Sequence, residues 1–230
     1  MAKSPAARRS GTALANYSYS PSCERACGWG GARNLADRAS DGLTDRQVAG
    51  MLDAAAFALA TGRTFQRHWI IHYGKAGIAA HDGARFVSQV LALASKQARR
   101  EGGALTALWV RERASEKGEH VHILLHLPAA MRLHGRTRRW IDTAGGTWRA
   151  GVSRVRIVGG RLPSGDAAAG EAHAMNAANV LRYFLKAGSQ ETGKRLGLTR
   201  AGCSGRIIGK RCGWTQNIGA AARGRGGPQT

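Results

Sequence analysis

The sequence predicts an α+β domain: a central antiparallel sheet with helices packed on its faces, flanked by basic, disordered termini. Three observations carry this. Stretches at 68–73, 105–113 and 120–127 are rich in β-branched, aromatic and other apolar residues, as buried strands are. Ala-rich and amphipathic runs between about 44 and 100 have helical spacing. Their order is strand, helix, strand, hairpin, strand, which is a sheet with a helix crossing one face.

The 230 residues suit one domain with tails. Residues 1–42, rich in Ser, Gly, Ala and Arg without apolar periodicity, are expected to be a disordered basic arm. The domain is expected over 43–190, and a Gly/Arg-rich basic tail over 191–230. Thr44 and Gln47 form a capping box at the head of a helix running to about Thr61. His68–Tyr73 reads as a buried strand. Asp82 is expected to cap a second helix ending near Arg100, with Phe86, Val90, Leu93 and Ala94 as its apolar face. Leu105–Arg113 and His120–Leu127 are the next two strands, joined by a turn over 114–119. A short helix is expected around Arg132, Arg136, Arg138 and Arg139, then a strand over 152–158. The last long helix spans about Asp166–Lys186, with Gly188 as its stop.

With 35 Lys and Arg against 14 Asp and Glu, the formal net charge is +21. This balance lies far from that of ordinary metabolic enzymes and argues against a small-molecule substrate. It points to a polyanion, above all nucleic acid. No apolar run is long enough to span a membrane and no secretory segment is present, so a cytoplasmic, membrane-free protein is expected. Cys23, Cys27, Cys203 and Cys212 match no standard zinc spacing and read as free thiols.

Chemistry concentrates in the hairpin over 105–127. His120 and His122 stand two apart in a strand, so both imidazoles share a face while Val121, Ile123 and Leu125 take the other. Glu112, across the turn, is expected to pair with one of them, and Glu/His/His with open positions would hold Mg²⁺ or Mn²⁺. Glu116 and Glu119 compete for that role, although Glu119 adjoins His120 and should face away. His126 is expected to be a contact rather than a ligand. On the last helix Asn176, Asn179, Tyr183 and Lys186 fall at steps of three and four and share one face. Lys186 could supply charge to the Tyr183 hydroxyl or to a phosphate. The bland alternative for Tyr183 is a surface tyrosine touching its i+3 lysine. Asn176, Asn179, Arg136, Arg138, Arg139, Lys210 and Arg211 are the candidate nucleic-acid contacts.

His120-Val-His122 followed by Ile-Leu-Leu, Arg111-Glu112 before the hairpin, and Tyr183-Phe-Leu-Lys186-Ala-Gly188, in that order, resemble the HUH endonuclease superfamily, in particular its single-tyrosine rolling-circle replication initiators. The resemblance covers about 65–190. It lacks the threonine-containing first-strand motif at His68–Tyr73, adds a long basic insertion after His122, and includes no helicase domain. It implies an HUH fold, RRM-like and related to ferredoxin-like domains. It further implies catalysis by Tyr183 and Lys186 with a metal on Glu112, His120 and His122. The implied reaction is nicking and joining of single-stranded DNA at an origin or hairpin through a 5′-phosphotyrosine, with a host helicase as a possible partner and a phage or plasmid setting. A transposase or mobilisation relaxase would share that chemistry. From another class, a non-catalytic nucleic-acid-binding regulator could bind single strands by charge and by stacking on Trp69, Trp109, Trp140, Trp148 and Trp214. A histidine-triad nucleotide hydrolase is excluded, because Leu124 stands where its third histidine would be.

Overall fold

The computed structural model describes residues 37–158, 167–198, 201–202 and 204–225. In chain order they form β1 (Ala39–Ser40), α1 (Asp45–Ala60), β2 (Arg67–His72), α2 (Tyr73–Ala76), α3 (Gly83–Arg100), β3 (Thr106–Ala114), β4 (Gly118–His126) and α4 (Arg136–Thr143). β5 (Ser153–Ile157), α5 (Ala167–Leu185), α6 (Gln190–Arg195), β6 (Ile207–Ile208), β7 (Cys212–Trp214) and α7 (Ala220–Arg225) follow. The centre is a five-stranded antiparallel sheet in the order β5-β2-β4-β3-β7. Among the described residues, no helix is long and apolar enough to cross a membrane.

Period-two alternation sorts the sheet into two faces. One carries Trp69, Ile71, Ala107, Trp109, Val121, Ile123 and Leu125, packed against Phe86, Val87, Val90, Leu91, Ala94 and Ala98 of α3 and against Trp140 and Ile141 of α4. The opposite face carries Leu108, Val110 and Leu124, covered by Val48, Met51 and Leu52 of α1 and by Leu181, Phe184 and Leu185 of α5. The hairpin therefore sits between two apolar layers, and its polar residues emerge only where the second layer stops. That end of the second face is where the histidines stand.

Most of the expected elements are present, with shifted ends. Thr44 accepts from the Gln47 amide and the Gln47 side chain returns to the Thr44 amide, completing the capping box. Asp82 precedes α3 without making a side-chain cap; its carboxylate pairs with Arg85 at 2.8 Å instead. On α3, Leu93 is only partly buried, and the face is completed by Val87, Leu91 and Ala98. α5 ends at Leu185, and Gly188 forms a parallel bridge with Leu43 rather than a left-handed stop.

The larger differences are at the ends. Of the supposed arm, residues 1–36 lie outside the described residues, but Ala39 and Ser40 pair with Ile208 and Ile207. The described residues of the supposed tail are part of the domain. β7 pairs with β3 through Leu108↔Trp214, Trp109↔Gly213 and Val110↔Cys212, and Ile207, Arg211, Cys212 and Ile218 are buried. Its glycines hid this: Gly213 packs where a Cβ would strike the Trp109 ring, so a glycine here serves close approach within a sheet rather than disorder. Of the four cysteines, Cys212 is a buried free thiol, pushed up to about 11 by burial. Cys23, Cys27 and Cys203 lie outside the described residues.

Candidate active site

The β3–β4 register places Glu112 directly opposite His120 and Val110 opposite His122. All three polar side chains are buried, and their ligand atoms lie within 4.8 Å of one another. Both imidazoles aim Nε2 at the same carboxylate oxygen: His120 at 3.8 Å and His122 at 3.6 Å from Glu112 Oε2. Glu112 Oε1 and His122 Nε2 are buried with no hydrogen-bond partner. Buried polar atoms are rarely left unsatisfied. Three converging donors, two of them unsatisfied, form a cluster that could hold a metal ion. Glu119 points to the other face, where it accepts from Arg111 Nε at 2.9 Å. Glu116 lines the rim of the groove described below and is not one of the cluster.

α5 supplies the second half. Leu181, Phe184 and Leu185 face inward, and Phe184 packs its ring 5.5 Å from His68 and 5.7 Å from His122. That docking turns Tyr183 and Lys186 toward the cluster. The Tyr183 ring meets His122 edge to face at 5.2 Å and is 44% exposed, whereas Tyr73 is buried in the core. Lys186 Nζ lies 2.8 Å from Glu112 Oε2 and 3.5 Å from the Tyr183 ring centre. The surface tyrosine touching its i+3 lysine is thus also a neighbour of the Glu112, His120 and His122 cluster.

Two histidines that sequence reasoning did not single out complete the constellation. His68 and His72 lie on β2, beside β4, with His72 opposite His120. His68 Nε2 hydrogen-bonds His122 Nδ1 at 3.0 Å, and the His72 and His120 rings are 5.4 Å apart. Their spacing of four in an alternating strand marks one shared face, but the pairing of β2 with β4 is a long-range fact. Burial lowers His68 to about 3 and His120 to about 4, in each case reinforced by the proximity of His122. Burial likewise lowers His72. For Glu112 burial acts upward, yet interaction with His122 and with the Lys186 ammonium overrides it and holds the carboxyl below the usual range. Burial thus favours the neutral form of His120, and charge favours the ionised form of Glu112, the forms in which each can bind a metal.

These residues border a groove of about 950 Å³. Asn176, Asn179, Tyr183 and Lys186 form one wall, and Arg154 and Arg156 of β5 stand along the other side. Both arginines were missed in the sequence. They lie opposite Ile70 and His68 in the ladder, and no salt bridge to a carboxylate engages either among the described residues.

The remaining candidate contacts do not join them. Arg136, Arg138 and Arg139 belong to α4 on the opposite face of the sheet, with Arg136 paired to Glu101 at 2.6 Å and Arg138 to Asp142 at 3.8 Å. Arg211 is buried, its guanidinium spent on Ser40, Ser204 and the Gly205 carbonyl, so it cannot reach a ligand. Lys210 is exposed but lies near Trp109, away from the groove lining. His126 holds the Thr64 carbonyl through Nδ1 at 2.9 Å and does not line the groove. Trp69, Trp109 and Trp140 are core residues, unavailable as stacking platforms.

The chain has no significant match among protein-family models, curated proteins or solved structures.

Proposed function

We propose that this protein is a metal-dependent nickase of the HUH endonuclease type, in its single-tyrosine rolling-circle initiator form, with an HUH arrangement of the sheet. It cuts and rejoins single-stranded DNA through a 5′-phosphotyrosine. The observation that carries this reading is the convergence, in one groove, of Glu112, His120 and His122 with Tyr183 and Lys186. These are the residues that the HUH resemblance pairs, and they come from the β3–β4 hairpin and from the C-terminal end of α5, which are distant in sequence.

In this reading Glu112, His120 and His122 hold Mg²⁺ or Mn²⁺, which would polarise the scissile phosphate as a Lewis acid. The Tyr183 oxygen attacks phosphorus and the new P–O(Tyr) ester replaces the P–O3′ bond. The phenolic proton is lost, and the departing 3′ oxygen takes one up to become the free 3′-OH. Lys186 provides positive charge beside the nucleophile and the phosphate, where negative charge builds in the transition state. The energy of the broken ester is kept in the tyrosyl ester, so the 3′-OH can later attack it and reseal the strand. Asn176, Asn179, Arg154 and Arg156 line the path of the flanking nucleotides, and the exposure of Asn179, Arg154 and Arg156 in the groove suits phosphate and base contacts. The same chemistry would serve a transposase or relaxase; a helicase partner and an origin or hairpin target belong to the initiator form. Non-catalytic binding by stacking loses three of its five platforms, because Trp69, Trp109 and Trp140 are sealed in the core, while Trp148 and Trp214 are only partly buried.

The deciding experiment incubates the full chain with pooled single-stranded oligonucleotides and Mn²⁺. The expected product is a covalent protein–DNA adduct that survives denaturant. It should disappear with EDTA, in Tyr183→Phe, and in the His120→Ala/His122→Ala double variant, while salt-sensitive DNA binding persists in that double variant. A full adduct yield from Tyr183→Phe would remove Tyr183 as nucleophile. DNA binding by wild type with no adduct on any sequence would overturn the nickase in favour of a binding protein.

A further inference from the structure

We propose that His68 is a positioning residue that fixes the tautomer of His122, leaving His122 Nε2 bare for the metal. The inference rests on the reading of Glu112, His120 and His122 as a metal centre, and goes beyond it in assigning a role to a residue outside the cluster.

The argument is one of proton placement. A neutral imidazole carries its proton on one nitrogen and a lone pair on the other, and only the lone pair can bind a metal. Both candidate ligands aim Nε2 at Glu112 and the space beside it. Each must therefore keep its proton on Nδ1, and each needs an acceptor there. For His120 the acceptor is the Gly118 carbonyl, 3.1 Å from Nδ1. A carbonyl cannot donate, so this bond alone settles the His120 tautomer.

For His122 the Nδ1 partner is His68 Nε2 at 3.0 Å. An imidazole partner can donate or accept, so this bond has two directions. If His68 donated, His122 would be forced to carry its proton on Nε2, facing Glu112 and blocking the metal. If His68 Nε2 accepts, His68 keeps its own proton on Nδ1 and His122 is metal-ready. The two imidazole ligands are thus oriented by different devices, a main-chain carbonyl at the hairpin turn and a histidine on the neighbouring strand. Phe184 touches both rings of the His68–His122 pair and restricts their rotation, so the tyrosine helix braces the same bond. Supporting hydrogen bonds of this kind typically change metal affinity about 10- to 100-fold when removed.

The test uses Mn²⁺ titrated into the full-length chain and followed by electron paramagnetic resonance, with no DNA and no activity readout. His68→Leu removes the acceptor and is expected to weaken Mn²⁺ binding about 10- to 100-fold. His68→Gln, whose amide oxygen can reach about the place of Nε2, is expected to stay within a few-fold of wild type. Alongside this, long-range ¹H–¹⁵N correlation on histidine-labelled wild type, recorded without metal, should report His122 protonated on Nδ1 and bare on Nε2. That measurement needs no variant and stands even if His68→Leu does not fold. Wild-type His122 protonated on Nε2, or a folded His68→Leu that binds Mn²⁺ as tightly as wild type, overturns the proposal while the metal-centre reading survives. Failure of wild type itself to bind Mn²⁺ overturns both.

Discussion

Lys186 stands 2.8 Å from one oxygen of Glu112 and beside the Tyr183 ring, so a single cation neutralises the carboxylate and borders the hydroxyl-bearing ring. A cation at the carboxylate opposes metal binding there, while a cation near the phosphate favours reaction. Lys186→Met is therefore expected to bind Mn²⁺ at least as tightly as wild type while forming adduct about 100-fold more slowly. Weaker Mn²⁺ binding in calorimetry would show that the lysine supports the site rather than competing in it. Arg111 poses a different residue-scale problem. Its guanidinium is fully buried on the far face, held by Glu119 and by the Ala80, Ile208 and Lys210 carbonyls. Arg111→Met strands a buried carboxylate and three carbonyls, and should cost about 3–5 kcal/mol in urea unfolding. Arg111→Met with Glu119→Leu should recover part of that loss; an unchanged deficit would assign the cost to the carbonyls instead of the charge.

β5 and β7 form the two edges of the sheet, and each carries an expectation of its own. On β5, Arg154 and Arg156 face the groove, so replacing both with Gln should reduce the salt dependence of oligonucleotide binding by about 1.4 in log–log slope, at about 0.7 per lost phosphate contact. Replacing Arg136, Arg138 and Arg139 with Gln should leave adduct formation unchanged, because α4 lies across the sheet. Fluorescence anisotropy and the adduct assay separate the two sets; equal effects would mean that DNA also follows the α4 face. The contrast marks what the sequence could say. Alternation and register made Glu112, His120 and His122 readable as a set, and helical spacing put Tyr183 and Lys186 on one face, since both are local properties. Which basic clusters share that face depends on the packing of α4 against α3 and of β5 against β2, which no spacing encodes. β7 was hidden for a related reason: its strand is short and glycine-containing, and only pairing with β3 gives it shape. Deleting residues 204–230 should therefore do more than remove basic charge. It strips β3 of its outer partner and Arg111 of two carbonyl acceptors, and should leave a chain that fails to unfold cooperatively in circular dichroism. A truncated chain with wild-type melting would return this segment to the status of a tail.

At the scale of the whole molecule, a chain of net charge +21 buries His68 and His120, and burial favours their uncharged forms. Added positive charge inside the fold is costly both to bury and to place among so many cations. His68 and His120 are held, chiefly by burial, at about 3 and about 4, against an ordinary value of 6.5. Their folded values lie below the unfolded one, so the unfolded chain takes up protons first as pH falls. Stability is thus full above about pH 6.5 and declines below it, by up to about 1.4 kcal/mol per pH unit for each histidine, until the folded values are reached. Glu112 is depressed as well, so its contribution is present above the ordinary carboxylate range and is lost as pH falls through its folded value, in the same direction. Melting measured in EDTA should consequently show little change between pH 8 and 7 and a steep fall from pH 6.5 to 5. His68→Gln removes one of the two histidines and should flatten that fall while leaving the plateau in place. A melting temperature that holds level down to pH 5 would mean that the cluster accepts protons without strain, and the burial argument for a metal-ready site at neutral pH would then fail with it.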